Sequence, residues 1–329
     1  MSVLVTGGGG FLGGTILRQL VAAGHAVKSL DLAYPVGVPD GVEIYEGSVT
    51  DPAAVAQPME GVEGVIHAAA IAQLWTRDPA DYQRVNVDGT QTVLDAAAKT
   101  GARMVLISSY TTLLAAGTPA ETLLDESTQI LPERLTGPYP ASKRRAELAV
   151  SAATQQGQWA CAVLPTAPIG AGDVLMTPPA VMLRDLATGA LPALLDCRLN
   201  LVDAQAVAAA AISALDRGQP GARYLLSGQD VSISDLAGQV AAITGVPAPR
   251  ARVPFFVAMG AARVEALLGR LLGRSPRAPI TGVRLAGLRC RFDAGRAKTE
   301  LGFTPRPLAE ILPEALADMA ARGVIPPQG

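Results

Sequence analysis

Apolar residues in the first half of the chain gather in short strand-like runs, and stretches with helical spacing separate them. Val3, Leu4 and Val5 open the series, and the same pattern predicts strands over 26–30, 42–45, 64–68, 103–107 and 159–164. Between the runs, Ile16, Leu17, Leu20 and Val21 recur at helical spacing over 15–23. Val85, Val93 and Leu94 do so over 79–100, and an alanine-rich helix is expected over 140–154. A strand that is apolar throughout needs cover on both faces, and helices alternating with strands provide it. The fold class expected is therefore α/β, a doubly wound parallel sheet. Proline-rich segments at 165–179 and 247–254 read as loops leaving that sheet.

The first strand runs straight into Thr6-Gly7-Gly8-Gly9-Gly10-Phe11-Leu12-Gly13, and the first helix pattern follows at once. Glycine at 7, 10 and 13 lets the backbone turn tightly, brings amide groups up to a pyrophosphate and seats the helix close on the strand. In a chain with 34 glycines a flexible loop is the competing reading. The strand before the run and the amphipathic helix after it favour a dinucleotide grip. The expected fold becomes a Rossmann sheet with a smaller mixed C-terminal lobe. Residues 1–168 would bind NAD(P), and 169–329 would mainly bind substrate, with segments around 199–228 returning to the sheet.

With 329 residues, 49% of them apolar, the chain can bury a large core. The net charge is −2 and no block of lysine or arginine stands out, which speaks against a nucleic acid and against an anionic membrane as electrostatic partners. Cys161, Cys197 and Cys290 are odd in number and widely spaced. They read as buried thiols of a reducing cytosol, without metal or disulfide spacing. No signal core or spanning stretch is evident, so the expected location is cytoplasmic.

A second chemical signal is Tyr139-Pro140-Ala141-Ser142-Lys143, whose tyrosine and lysine share one helix face at a spacing of four. A phenol titrates at about 10, so it exchanges protons near neutrality only beside a cation that stabilises its phenolate. Lys143 can supply that charge. Alone, the pair reads equally well as an exposed helix pair. Ser108-Ser109 at the end of the 103–107 strand changes this, because ligands of open parallel sheets bind beyond the carboxyl ends of the strands.

Together these residues resemble the extended short-chain dehydrogenase/reductase group, the NAD-dependent epimerase/dehydratase family. The resemblance covers nearly the whole chain. It runs through the glycine turn, His67-Ala68-Ala69-Ala70, Asn86-Val87-Asp88-Gly89-Thr90, Ser108-Ser109, Tyr139 to Lys143, Phe292-Asp293 and Leu301-Gly302-Phe303. It implies that Tyr139 is the general acid/base and that Lys143 lowers its pKa and holds the nicotinamide ribose. Ser109, rather than its neighbour Ser108, would hydrogen-bond the substrate oxygen. The cofactor contacts implied are Thr6, Gly7, Gly10, Phe11, Leu12 and Gly13 in the turn, Asp31 on the adenosine ribose, Ser48, Val49, Ala68, Ala69, Asn86, Tyr139, Lys143 and Pro165. Asp31 would repel a 2′-phosphate, so NAD(H) is favoured over NADP(H). Ser48 stands where the family often has aspartate, which weakens the adenine contact. His67 would pack beside the cofactor rather than transfer protons. The family also suggests a homodimer through the helices near 80–100 and 140–155, with internal packing of their alanine faces as the alternative.

Departures from the family narrow the chemistry. Ala167 stands where epimerase-like relatives have asparagine. Leu199 stands where an arginine often meets a substrate diphosphate, with Arg198 next to it. Leucine spacing over 264–272 reads as core or oligomer interface. Phe255, Phe256 and Met259 read as cover for a lipid-like substrate or as a peripheral contact with a membrane surface. The stretch Leu74-Trp75-Thr76-Arg77-Asp78-Pro79, the turn over 173–179 and the Arg306 region look most like bacterial proteins described as hopanoid-associated epimerase-like, dihydroflavonol-reductase-like and ketolipid reductase. The expected activity is NAD(P)H-dependent interconversion of a ketone and a secondary alcohol on a hydrophobic molecule such as a 3-oxo-sphingoid, a ceramide or a sterol. One alternative is a sugar-nucleotide epimerase or dehydratase that holds NAD through its cycle. A non-catalytic dinucleotide sensor is less favoured, because Ser109, Tyr139 and Lys143 occur together.

Overall fold

Strands and helices alternate along the computed structural model, which describes residues 1–35, 37–272, 274–276 and 278–327, without the side chains of 270–272. The strands are β1 (Ser2–Thr6), β2 (Ala26–Asp31), β3 (Val42–Glu46), β4 (Gly64–His67), β5 (Arg103–Ile107), β6 (Leu123–Leu124), β7 (Ala160–Pro165), β8 (Ala167–Ile169), β9 (Leu194–Leu195), β10 (Arg198–Asp203), β11 (Arg223–Leu226), β12 (Gln229–Ser232), β13 (Arg252–Val253) and β14 (Arg291–Phe292). The helices are α1 (Phe11–Ala22), α2 (Pro52–Met59), α3 (Gly89–Thr100), α4 (Pro138–Gln155), α5 (Pro178–Ala187), α6 (Ala204–Arg217), α7 (Ile233–Thr244), α8 (Phe255–Leu272), α9 (Ile280–Ala286), α10 (Gly295–Leu301) and α11 (Leu308–Ala321).

Seven strands form one parallel sheet in the order β11-β7-β5-β4-β1-β2-β3. Successive residues of a strand enter opposite cores. Val3, Val5, Ile66, Val105 and Val163 pack with α1 and α6 on one face, while Leu4, Val65, Met104, Leu106 and Ala162 pack with α3 and α4 on the other. That is why the runs of these central strands are apolar: both faces are buried, and each large aliphatic side chain taken from water contributes about 1.5–3 kcal/mol. Strand order reverses between β1 and β4, so the carboxyl ends of these two strands border a crevice. The second, smaller sheet is mixed, with β10 antiparallel to β12 and parallel to β8. It shares a core with α5, α7 and α11, built on Leu183, Leu236, Leu312 and Leu316.

Three local expectations are corrected. The helix expected over 79–100 is two pieces, a π-helical stretch Tyr82–Asp88 followed by α3. Strand β8 lies inside the first proline-rich segment and β13 inside the second. Pro168 is tolerated because β8 is the edge of its sheet and needs no donor on its open side. Finally, Val264, Leu267 and Leu268 are exposed rather than core, since α8 finds cover only along its inner stripe, where Met259 and Ala262 meet Val283. The side chains of Leu271 and Leu272 lie outside the described ones. Among the described residues no helix is long and apolar enough to cross a membrane.

Candidate active site

The turn after β1 shows its need for glycine by what a side chain would strike. A Cβ on Gly13 would lie 1.9 Å from the Gly7 carbonyl oxygen, and one on Gly9 would lie 2.1 Å from the Ala33 oxygen. Gly7 has φ +79°, and Ala69 N stands 2.5 Å from where its Cβ would be. Gly10 caps α1 without a side chain, which leaves the first-turn amides of α1 for an anion. At the end of β2 the Asp31 carboxylate accepts from Gly9 N at 2.9 Å and from Leu32 N at 2.7 Å. Burial raises its pKa and those two bonds pull it back. A glycine cradle, a helix N-terminus and a fixed carboxylate beside them fit a dinucleotide with free ribose hydroxyls, and the carboxylate opposes a 2′-phosphate.

Helix α4 places the second cluster. It starts at Gly137, where a Cβ would sit 2.5 Å from the Thr281 hydroxyl, and Pro138 occupies its first turn. One turn apart, Tyr139 and Lys143 are both buried. The Lys143 ammonium donates to the carbonyl of Ile107, the last residue of β5, at 2.9 Å. Ser109 follows in extended conformation and caps the 3₁₀ turn Tyr110–Leu113, its hydroxyl accepting from Thr111 N at 3.3 Å and from Thr111 Oγ1 at 3.0 Å. Burial pushes the Tyr139 phenol above its ordinary value, and the neighbouring Ser109 hydroxyl works against that. Lys143 is pushed down to about 8 by burial, with the Glu147 charge opposing. The net direction at Tyr139 is thus upward, not the lowering expected from Lys143, because desolvation dominates in so enclosed a place.

The neighbouring Ser108 turns elsewhere, donating to the Glu147 carboxylate. Glu147 also accepts from Thr112 at 2.9 Å and pairs with Arg144 and Arg223, each at 3.0 Å. This buried network was absent from the sequence reading. Its one local signal is the spacing of three from Arg144 to Glu147, which puts both on one face of α4.

A cavity of about 540 Å³ joins the two clusters. Gly7, Gly10, Phe11, Leu12, Gly13, Ala68, Pro165, Ser109, Tyr139 and Lys143 all line it, whereas Thr6, Asp31, Ser48, Val49, Ala69 and Asn86 do not. Asn86 is spent on structure, bonding Ile71 N at 2.8 Å, Ile71 O at 3.1 Å and Ser142 Oγ at 3.0 Å. Ser48 shares a hydrogen bond with Thr50 at 2.8 Å, and Val49 is buried under Gly89. Thr6 holds His67 Nδ1 at 2.6 Å while Thr90 holds its Nε2 at 3.0 Å. Burial, aided by the Lys143 charge, drops His67 to about 3, so the ring is neutral. Beyond Tyr139 the walls are apolar, with Leu114, Met182, Leu194, Leu285 and Phe292 among them. Among the described residues the charged ones on the lining are Lys143 and Arg198, and Arg198 is paired with Glu121 at 3.0 Å.

Comparison with known proteins agrees with this construction. The model of the NAD dependent epimerase/dehydratase family matches residues 3–226. A Synechocystis protein provisionally named a dihydroflavonol 4-reductase is 34% identical over 95% of this chain and 92% of its own length. A Stigmatella aurantiaca protein named 4-hydroxy-2-methyl-3-oxo-4-farnesyl-3,4-dihydroquinoline-1-oxide ketoreductase is 30% identical over 99% of each chain. The crystal structure of gox2253 superposes with a TM-score of 0.82 and 31% identity, covering 98% of this chain and 99% of that one. The chain therefore belongs to the NAD-dependent epimerase/dehydratase family of oxidoreductases, the extended short-chain dehydrogenase/reductases.

Proposed function

We propose that the protein interconverts a ketone and a secondary alcohol on a hydrophobic, lipid-like molecule such as a 3-oxo-sphingoid, a ceramide or a sterol. The observation that carries this reading is the apolar wall of the cavity that begins at Ser109 and Tyr139. A diphosphate in the same place would need cations. Arg198 is already engaged by Glu121, and Leu199 offers no donor, so the sugar-nucleotide reading is weaker. The farnesyl group in the name of the Stigmatella relative points the same way.

Residues 1–168, completed by the return of β11 to the sheet, hold the dinucleotide, and most of 169–329 holds the substrate. Bound NAD(H) supplies or takes up the hydride. Tyr139, like any phenol, carries a proton at neutral pH, burial holds it there more firmly, and it gives that proton to the ketone oxygen that Ser109 positions. Lys143, still largely cationic at neutrality and fixed by Ile107, stabilises the phenolate left behind. In the oxidative direction the same phenolate takes the alcohol proton. Apolar walls keep water out, which strengthens each of these polar contacts. Replacing Tyr139 by Phe is expected to lower kcat roughly 10²- to 10⁴-fold with NADH affinity, read by fluorescence titration, changed less than about twofold. A variant that keeps near-normal turnover overturns the assignment.

A further inference from the structure

Residues 250–277 carry six arginines against one acid, Glu265, in a protein whose net charge is −2. The arginines are scattered among apolar residues, so they form no block in the sequence, and those whose side chains are described lie on α8 or within five residues of its ends. Arg250, Arg252, Arg263 and Arg274 are exposed. Between them α8 presents Phe256, Val257, Val264, Leu267 and Leu268 to solvent, Phe256 to 76% and Leu267 to 61%. At about 100° per residue these five positions fall within a sector of about 120°, a continuous apolar stripe. The opposite side of the helix is spent on the protein. Met259 and Ala262 pack on Val283, with Leu195 alongside, and Leu195 lines the cavity, as do Leu285 and Ala286 of α9. Helix α8 is thus the outer skin of the apolar cavity wall.

We propose that this face of α8, with its flanking arginines, seats the protein on an anionic lipid bilayer. An apolar stripe edged by arginine on a helix too polar to span matches the chemistry of a helix lying in the headgroup plane. A second copy is the poorer occupant, because a two-fold contact would set this arginine-rich surface against itself. The choice of a bilayer over an acidic protein rests on the proposed lipid-like substrate, which would reside in that bilayer beside the cavity wall.

The test is cosedimentation of the full chain with vesicles of phosphatidylcholine alone and of phosphatidylcholine with phosphatidylglycerol. Binding is expected to need phosphatidylglycerol and to weaken with salt. Replacing Arg250 and Arg263 by glutamine is expected to lower the partition coefficient roughly 30-fold. Phe256→Ser with Leu267→Ser is expected to abolish binding. Both variants should reduce a short, water-soluble ketone at the unaltered rate, which shows that they are folded. Ketone reduction without binding to phosphatidylglycerol vesicles at low salt overturns the docking face. So does a dimer in sedimentation equilibrium that Phe256→Ser with Leu267→Ser dissolves while vesicles bind nothing. Vesicle binding that follows the arginines in a protein that reduces no ketone upholds the face and overturns the catalytic reading.

Discussion

Burial moves the two reactive side chains of α4 in opposite directions, the Tyr139 phenol up and the Lys143 ammonium down to about 8. In the reductive direction the phenol must be protonated and the lysine charged. Ketone reduction is therefore expected to hold through neutrality and to fall as pH rises through about 8, where Lys143 loses its proton. A rate–pH profile that stays flat well beyond that point contradicts this role for Lys143. His67 makes a prediction about stability instead. Its folded pKa of about 3 lies below its ordinary 6.5, so between those values the unfolded chain binds a proton that the folded one refuses. Stability is lost as pH falls through that window, by up to about 1.4 kcal/mol per pH unit. In urea unfolding at neutral and mildly acidic pH, His67→Asn should flatten the loss, and an unchanged slope would show that His67 is not its source.

At the scale of elements, two sites depend on packing rather than on titration. A methyl on Gly13 would collide with the Gly7 carbonyl, so Gly13→Ala should cost about 1–3 kcal/mol and remove NAD binding, as thermal melts with and without cofactor would reveal. If cofactor still raises Tm as in the parent, the turn is not the grip. Glu147 joins α4 to the end of β5 through Ser108 and to β11 through Arg223, and pairs with Arg144 on its own helix. Glu147→Ala would leave two buried guanidiniums without their carboxylate, at about 3–5 kcal/mol. The glycine turn was legible in the sequence because its steric demand sits in eight consecutive residues. The strands β1, β4, β5 and β7 were legible because cover on both faces writes apolar runs. The Glu147 network was not, since Ser108, Thr112 and Arg223 lie outside the α4 helix that carries Arg144 and Glu147, and only the fold brings them to it. Nor was the π-helical stretch, where Asn86 reaches to Ile71 and Ser142.

At the scale of the whole molecule, the parallel sheet presents its crevice to a lobe whose wall is apolar on the inside and, at α8, on the outside as well. Helical spacing showed one apolar face on α8 but not whether anything covers it, because cover is a property of the neighbours. Arg306 of the C-terminal segment pairs with Asp203, the last residue of β10 and the cap of α6, at 2.8 Å and with Glu314 of α11 at 2.8 Å, fastening that segment to the small sheet. The most direct test of the proposed reaction follows absorbance of the reduced nicotinamide while the purified protein, given NADH or NADPH, meets long-chain ketones, steroid ketones and sugar nucleotides. Net loss of NADH with a hydrophobic ketone, faster than with NADPH, is the expected result. No loss on any ketone, together with a sugar nucleotide changed in configuration and oxidised cofactor released on denaturation, would contradict it and make the protein an epimerase.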